Sequence, residues 1–250
     1  MSIKNIEHEL SIAKKAALNA GYVLLKNKNK LKKELFSSNK DIKLNADILS
    51  ENLIKEILEK ESIFPILAEE SGKSSNDMGE TFWVVDPLDG TANYARDIPI
   101  CCISIALIDN WQPTIGVIYD FNNDHLYEGS SVSNAYLNDI QISVSKIANA
   151  HEGILITGLP NDTDYSDNAL LSMIKDFQDW RKIRMIGSAA MASVYVASGK
   201  AEAYKETKTF LWDIAAGAAI VGAAGGKAII INQNENYQVD VFFSNGNILE

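Results

Sequence analysis

Apolar residues recur at Ile6, Leu10, Ala13, Ala17, Leu24 and Leu25. That spacing of three and four predicts an amphipathic helix ending near Lys30. The basic stretch 26–33 suits the negative end of its dipole. A second helix is predicted from about Asp47, turning Leu49, Leu53, Ile54, Ile57 and Leu58 inward. The pattern then changes. Residues 64–68 read as a short strand that runs straight into Glu69-Glu70-Ser71-Gly72, and the polar stretch 71–80 reads as a loop. Runs at 81–85, 101–108 and 114–119 are rich in β-branched and aromatic residues and are predicted strands, with a turn at Asp109-Asn110-Trp111 and a short further strand at 126–128.

In the second half, residues 152–158 form another apolar run. A helix is predicted over 169–180, with Leu170, Ile174 and Phe177 on one face, followed by a strand over 182–186. Ser188 is placed to cap a helix reaching Ala197. A short strand at 201–204 precedes an Ala-rich helix over 212–224, closed by Gly225-Gly226. Residues 227–231 read as a final buried strand. This order predicts an α/β protein of layered helices and sheets, with a junction of two lobes near 148–153.

The 250 residues suffice for one large domain. With 23 basic and 33 acidic residues the net charge is −10, and no Lys/Arg cluster coincides with aromatics. That balance argues against nucleic acid as the main partner. The uncharged, Gly/Ala-rich stretch 214–226 is too short to span a bilayer, so no membrane partner is expected. The adjacent Cys101 and Cys102 lie in an apolar run and read as buried thiols, which fits a cytoplasmic protein.

The candidate chemistry lies at Asp86-Pro87-Leu88-Asp89-Gly90-Thr91, two carboxylates where a buried strand ends. Such acids are unfavourable unless neutralised, and Mg²⁺ takes carboxylate and phosphate oxygens. Gly90 permits a tight turn with its N–H open to an anion. An Asp-Gly turn is also ordinary turn chemistry. Glu69 ends a strand as Asp86 does, and neighbouring strands would put both on one sheet edge. Asp213 opens the Ala-rich helix, where either a dipole-favoured acid or a ligand fits. Asp47 is likewise a cap or a site residue. Gly187-Ser188-Ala189 offers backbone N–H groups at a helix start. Together these are the parts of a metal-assisted phosphatase.

Three segments carry a resemblance: Glu69-Glu70-Ser71-Gly72, then Asp86 through Tyr94 (DPLDGTANY), then Trp212-Asp213-Ile214-Ala215-Ala216-Gly217. In order and spacing they are similar to the signatures of the inositol monophosphatase family. The resemblance implies an αβαβα sandwich, a homodimer, lithium sensitivity, and Mg²⁺-dependent hydrolysis of small phosphate monoesters with two or three ions. It implies a first metal site of Glu69, Asp86 and the Leu88 carbonyl, and a second of Asp86, Asp89 and Asp213. Thr91, paired with Asp47, matches the residue that holds the attacking water, and Glu69 belongs to the same catalytic group. By the same resemblance Gly90 and Thr91 offer backbone N–H groups to the phosphate, and Asp89 and Asp213 are substrate contacts as well. Gly187, Ser188, Ala189 and Glu206 fall where the family contacts the alcohol part of the substrate.

This chain departs from the pattern at Leu44, where many relatives carry Thr, and at Phe210 and Phe36, where animal enzymes carry His and Lys. The ligands are spared, so the departures bear on substrate. A phosphorylated polyol, inositol monophosphate foremost, is the expected substrate. Other substrates within the family are 3′-phosphoadenosine 5′-phosphate, fructose 1,6-bisphosphate, histidinol phosphate and NADP. A haloacid-dehalogenase-type site is disfavoured, because two residues rather than one separate Asp86 from Asp89. The alternative from another class is a regulatory protein that kept the fold.

Overall fold

The computed structural model describes residues 3–32, 34–37, 42–159 and 163–248, with side chains described from residue 5 and not at 34–37 or 42–43. The chain begins with α1 (Ile3–Lys26) and α2 (Lys28–Leu31), then a hairpin of β1 (Glu34–Ser37) and β2 (Ile42–Leu44), then α3 (Asn45–Glu61). The first helix therefore breaks at Asn27, short of the expected Lys30. Phe36 lies in β1, outside the described side chains.

Eight strands follow: β3 (Ile66–Ala68), β4 (Gly72–Lys73), β5 (Thr81–Asp89), β6 (Cys102–Asp109), β7 (Gln112–Asp120), β8 (His125–Ser130), β9 (Ser133–Leu137) and β10 (Ile140–Gln141). A five-residue helix, α4 (Thr91–Ala95), sits between β5 and β6. They form one sheet in the order β10-β9-β8-β7-β6-β5-β3-β4. The expected loop 71–80 contains β4, and β9 and β10 were not foreseen. Both are too short, five and two residues, to show the periodic signal that marks a strand.

A 3₁₀ turn at Ala150–Glu152 falls where the junction was expected and precedes the second sheet. That part contains β11 (Ile154–Thr157), α5 (Asp167–Phe177), β12 (Lys182–Met185), α6 (Ala189–Ala197), β13 (Ala203–Phe210), α7 (Leu211–Ala223), β14 (Lys227–Ile231) and β15 (Gln238–Ser244). Its five strands are ordered β12-β11-β13-β15-β14. Two expectations are corrected here. The run 227–231 is not the final buried strand but a half-exposed edge. The final strand is β15, an interior strand that buries Val239, Val241, Phe242 and Phe243; its apolar alternation was an available strand signal that sequence reasoning passed over. The 169–180 helix is α5, and its apolar face is only partly covered: Leu170 and Phe177 are half-buried. Ile174 is 49% exposed and no residue of α5 is buried.

The layers follow from which faces are apolar. α1 and α3 pack on one face of the large sheet, and α6 and α7 lie between the two sheets. Phe177 of α5 and Trp180 pack with Leu155, Ala203 and Phe242 on the outer face of the small sheet. This is the αβαβα sandwich. The middle layer must approach sheets on both sides, which explains its Ala and Gly content. A Cβ at Gly116 of β7 would lie 2.1 Å from the backbone oxygen of Ala216 in α7, so only glycine fits there.

Candidate active site

The site is built where β3 and β5 end side by side. The two strands pair in parallel with Ala68 opposite Val85, so Glu69 and Asp86 emerge as neighbours. The Glu69 N–H closes the register by donating to the Val85 carbonyl at 3.1 Å. The strand does not stop at Val85 as expected; it continues to Asp89, with a register shift against β6 between Asp86 and Asp89. Such a bulge re-aims side chains. Here it brings the second carboxylate into the site. Asp86 Oδ1 accepts the Leu88 N–H at 2.9 Å, which fixes the intervening turn. Gly90, at φ 86°, then turns the chain into α4 in a region that favours glycine.

Helix α3 supplies the frame. Asp47 is the third residue of the helix, not its cap. Its Oδ2 accepts the Leu44 N–H at 2.7 Å, and its Oδ1 accepts the Thr91 hydroxyl at 2.9 Å. Helix-start and site readings of Asp47 are thus both satisfied, one oxygen each. Thr91 Oγ1 also lies 3.0 Å from the Leu88 carbonyl. One turn on, the Ser50 hydroxyl donates to the Pro87 carbonyl at 2.7 Å and Glu51 Oε2 accepts the Glu70 N–H at 2.9 Å. Sequence reasoning missed Ser50 and Glu51. Their spacing of three and four from Asp47 puts all three on one helix face, and that was the available signal.

Asp89 reaches across to the middle layer. It accepts the Ser188 hydroxyl and the N–H groups of Ala190 at 2.9 Å and Ala189 at 3.3 Å. Ser188 caps α6 as expected, accepting the Met191 N–H at 3.1 Å. Gly187 precedes it at φ 70°. Asn93, also unforeseen, clasps this loop. Its Nδ2 lies 2.8 Å from the carbonyls of both Ile100 and Ile186. Asp213, third in α7, accepts the Phe210 N–H at 3.0 Å and the Thr209 hydroxyl at 2.8 Å through Oδ2. Phe210 stacks on Trp212 with centroids 4.7 Å apart. Leu44, the other departure, is fully buried.

Glu206 needs a correction. It does not lie in a loop before α7 but within β13, just before a register shift against β15 between Glu206 and Thr209. The unbroken polar run Lys205–Lys208 resembles a loop in sequence, because the strand's exposed stretch carries no apolar alternation. The side chain is half-buried and accepts the Tyr204 hydroxyl at 2.9 Å.

Electrostatically the acids form one unit. Burial, then the charges of Glu69, Asp89 and Asp213, holds Asp86 well above the usual carboxylate range. Burial, then Asp213 and Asp47, does the same to Glu69, opposed by a hydrogen bond with Asp86. As a residue Glu69 is exposed at the rim, so like charge is the more durable of its two causes. Burial raises Asp89, and its bonds to Ser188, Ala190 and Ala189 oppose the rise. Burial and Asp89 push Asp213 from 3.8 up to about 7. Among the described residues no lysine or arginine is a leading influence on these four acids. Their oxygens are not gathered into a finished cation cage among the described residues. Asp89 and Asp213 are turned onto backbone and hydroxyl donors instead.

The cluster should make stability depend on pH. A carboxyl whose pKa is higher folded than unfolded keeps its proton longer in the folded state. Folding stability then falls as pH rises from the unfolded to the folded value. For Asp213 that window runs from 3.8 to about 7. With a chelator present, Asp213→Asn is expected to raise Tm more at pH 8 than at pH 5. A Tm difference independent of pH would contradict this.

The arrangement defines the class. Residues 5–249 match the model of the inositol monophosphatase family. The chain is 38% identical over 221 residues to Nus factor SuhB of Xylella fastidiosa, spanning 87% of this chain and 80% of that one. It is 33% identical over 237 residues to a fructose-1,6-bisphosphatase/inositol-1-monophosphatase of Aquifex aeolicus, 92% and 89% of the two chains. The solved inositol monophosphatase from Anabaena (Nostoc) sp. PCC 7120 superposes with a TM-score of 0.85 at 33% identity, over 97% and 92% of the chains. The chain belongs to the inositol monophosphatase family. No helix among its described residues is long and apolar enough to cross a membrane.

Proposed function

We propose that the chain hydrolyses small phosphate monoesters with Mg²⁺ held by Glu69, Asp86, the Leu88 carbonyl, Asp89 and Asp213. The observation that carries this reading is the Thr91–Asp47 hydrogen bond, closed across 44 residues beside the acid cluster. The donor set suits the ion, being all oxygen and crowded with like charge. Bound there, Mg²⁺ supplies the positive charge that phosphate transfer needs and makes a water more acidic.

The side chains do the rest. Asp47 Oδ1 orients the Thr91 hydroxyl, which can accept a proton from water as its own passes to Asp47. The Leu44 N–H holds the second Asp47 oxygen, so the acceptor cannot rotate away. Gly90 and Thr91 present backbone N–H groups to the phosphate. Gly187, Ser188, Ala189 and Glu206 flank the leaving alcohol. Phosphate release from a panel of monoesters tests the activity, and an inert panel would remove it. A homodimer also belongs to this proposal; a single-chain mass by light scattering would contradict it.

For substrate we favour an inositol or sugar monophosphate. Burial pushes Glu206 up to about 7, against the Tyr204 hydrogen bond, and the Asp89 charge adds to the rise. The residue is half-buried and feels the Asp89 charge. A carboxylate accepts hydroxyls and repels a second phosphate. Inositol or sugar monophosphates should exceed 3′-phosphoadenosine 5′-phosphate in kcat/KM. Charge-assisted bonds of about 1.5–3 kcal/mol make Glu206→Gln roughly 10–100-fold worse on the polyol. Faster hydrolysis of the nucleotide, with the variant indifferent, would sink the polyol reading alone. A second reading rests on relatives named Nus factor SuhB, in Xylella fastidiosa and Pasteurella multocida. It gives the chain a regulatory role, and it gains if purified protein with Mg²⁺ releases no phosphate.

A further inference from the structure

We propose that Tyr204 and Gly158 together form the seat that sets the orientation of Glu206, making them positioning residues for recognition of the alcohol part of the substrate. The proposal rests on the polyol reading and extends it to two residues that do not touch the reacting phosphate.

Tyr204 and Glu206 are two apart on β13, so their side chains share a face of the small sheet. The Tyr204 ring is fully buried, edge-on to Phe243 with centroids 5.9 Å apart. A buried phenol needs a partner, and this one donates to Glu206 Oε2 at 2.9 Å. The bond fixes one end of the carboxylate from within the sheet.

Gly158 fixes the other coordinate. β11 runs parallel to β13 with Thr157 opposite Lys205, so residue 158 comes beside Glu206. A Cβ there would lie 2.4 Å from Glu206 Oε2, 2.7 Å from Cδ and 2.8 Å from Oε1. The carboxylate therefore rests on the bare glycine backbone. Any side chain at 158 would lift it off. Bonded from below and supported along its face, the group has lost its rotamer freedom before substrate arrives. Oε1 accepts no hydrogen bond among the described residues, which leaves one aimed acceptor for a substrate hydroxyl. An acceptor ordered in advance binds more tightly than a mobile one.

The test compares a polyol monoester, inositol 1-phosphate, with p-nitrophenyl phosphate, whose alcohol carries no hydroxyl for Glu206 to bind. Tyr204→Phe keeps the ring against Phe243 and removes only the donor. The ratio of kcat/KM for the polyol to that for the aryl ester is expected to fall roughly 3–10-fold, the worth of one net hydrogen bond. Gly158→Ala should lower the same ratio. Neither change should lower it further in a Glu206→Gln background, where the oriented charge is already gone. Should one variant not fold, the other decides. An equal loss on both substrates would make the two residues merely structural and overturn the proposal. So would an unchanged ratio in Tyr204→Phe while Glu206→Gln lowers it; that result leaves the polyol reading standing. A wild-type protein inert toward both esters would overturn the phosphatase reading and this one with it.

Discussion

Thr91→Ala is expected to lower kcat for monoester hydrolysis by about 10²–10⁴-fold, the range for groups that move or hold a proton in the rate-limiting step. The geometry makes the effect specific. Thr91 Oγ1 lies 2.9 Å from Asp47 Oδ1 and 3.0 Å from the Leu88 carbonyl, so its position is set from two sides. Alanine keeps the first turn of α4 and the backbone N–H groups that face the phosphate. KM should therefore change little. Removing the hydroxyl takes away one of the hydrogen bonds that hold the buried Asp47, so a modest fall in Tm is expected as well. Thr91→Ser should recover most of the rate, because it restores the oxygen and omits only the methyl. Steady-state kinetics and a thermal melt on the three proteins settle the matter. An unchanged kcat in the alanine variant would assign Thr91 to the turn alone.

The second large effect is loss of activity on chelation. Glu69, Asp86, Asp89 and Asp213 repel one another, and each has a raised proton affinity in the absence of a cation. Removing divalent ions should abolish phosphate release, and Mg²⁺ should restore it. The ion should also raise Tm, and more so above pH 7 than at pH 5, because the acids must be deprotonated to bind it. In this structure Asp89 is held by Ser188, Ala189 and Ala190 and Asp213 by Thr209 and Phe210. Asp213 Oδ1 accepts no hydrogen bond among the described residues and is the readier donor of the two. Full activity in excess chelator would defeat the metal-dependent mechanism outright.

The sequence alone determined the elements whose chemistry is local. The first helices, β5 through β7 and the capped starts of α6 and α7 follow from periodicity and from residues within one turn of each other. Ser188 illustrates this, since a hydroxyl three residues before the Met191 N–H caps a helix wherever it stands. The acids were legible for a related reason. Carboxylates at the ends of apolar strands conflict with their surroundings, and the conflict shows without a structure.

Only the tertiary structure decided what depends on neighbours distant in the chain. β15 carried its own signal in Val239, Val241 and Phe243, but only the structure showed that it, and not 227–231, is covered on both faces. The face of α5 looked like a core face, but the small sheet covers only part of it: Phe177 packs there while Ile174 stays exposed. Glu206 looked like a loop residue until β11, β13 and Tyr204 gave it a fixed place. The assembly of the site has the same origin. Asp47 meets Thr91, Glu51 meets the Glu70 N–H and Asp89 meets α6 because packing of α3, the large sheet and the middle helices brings those atoms together. One-dimensional patterns record which face of an element avoids water; they do not record which other element will cover it.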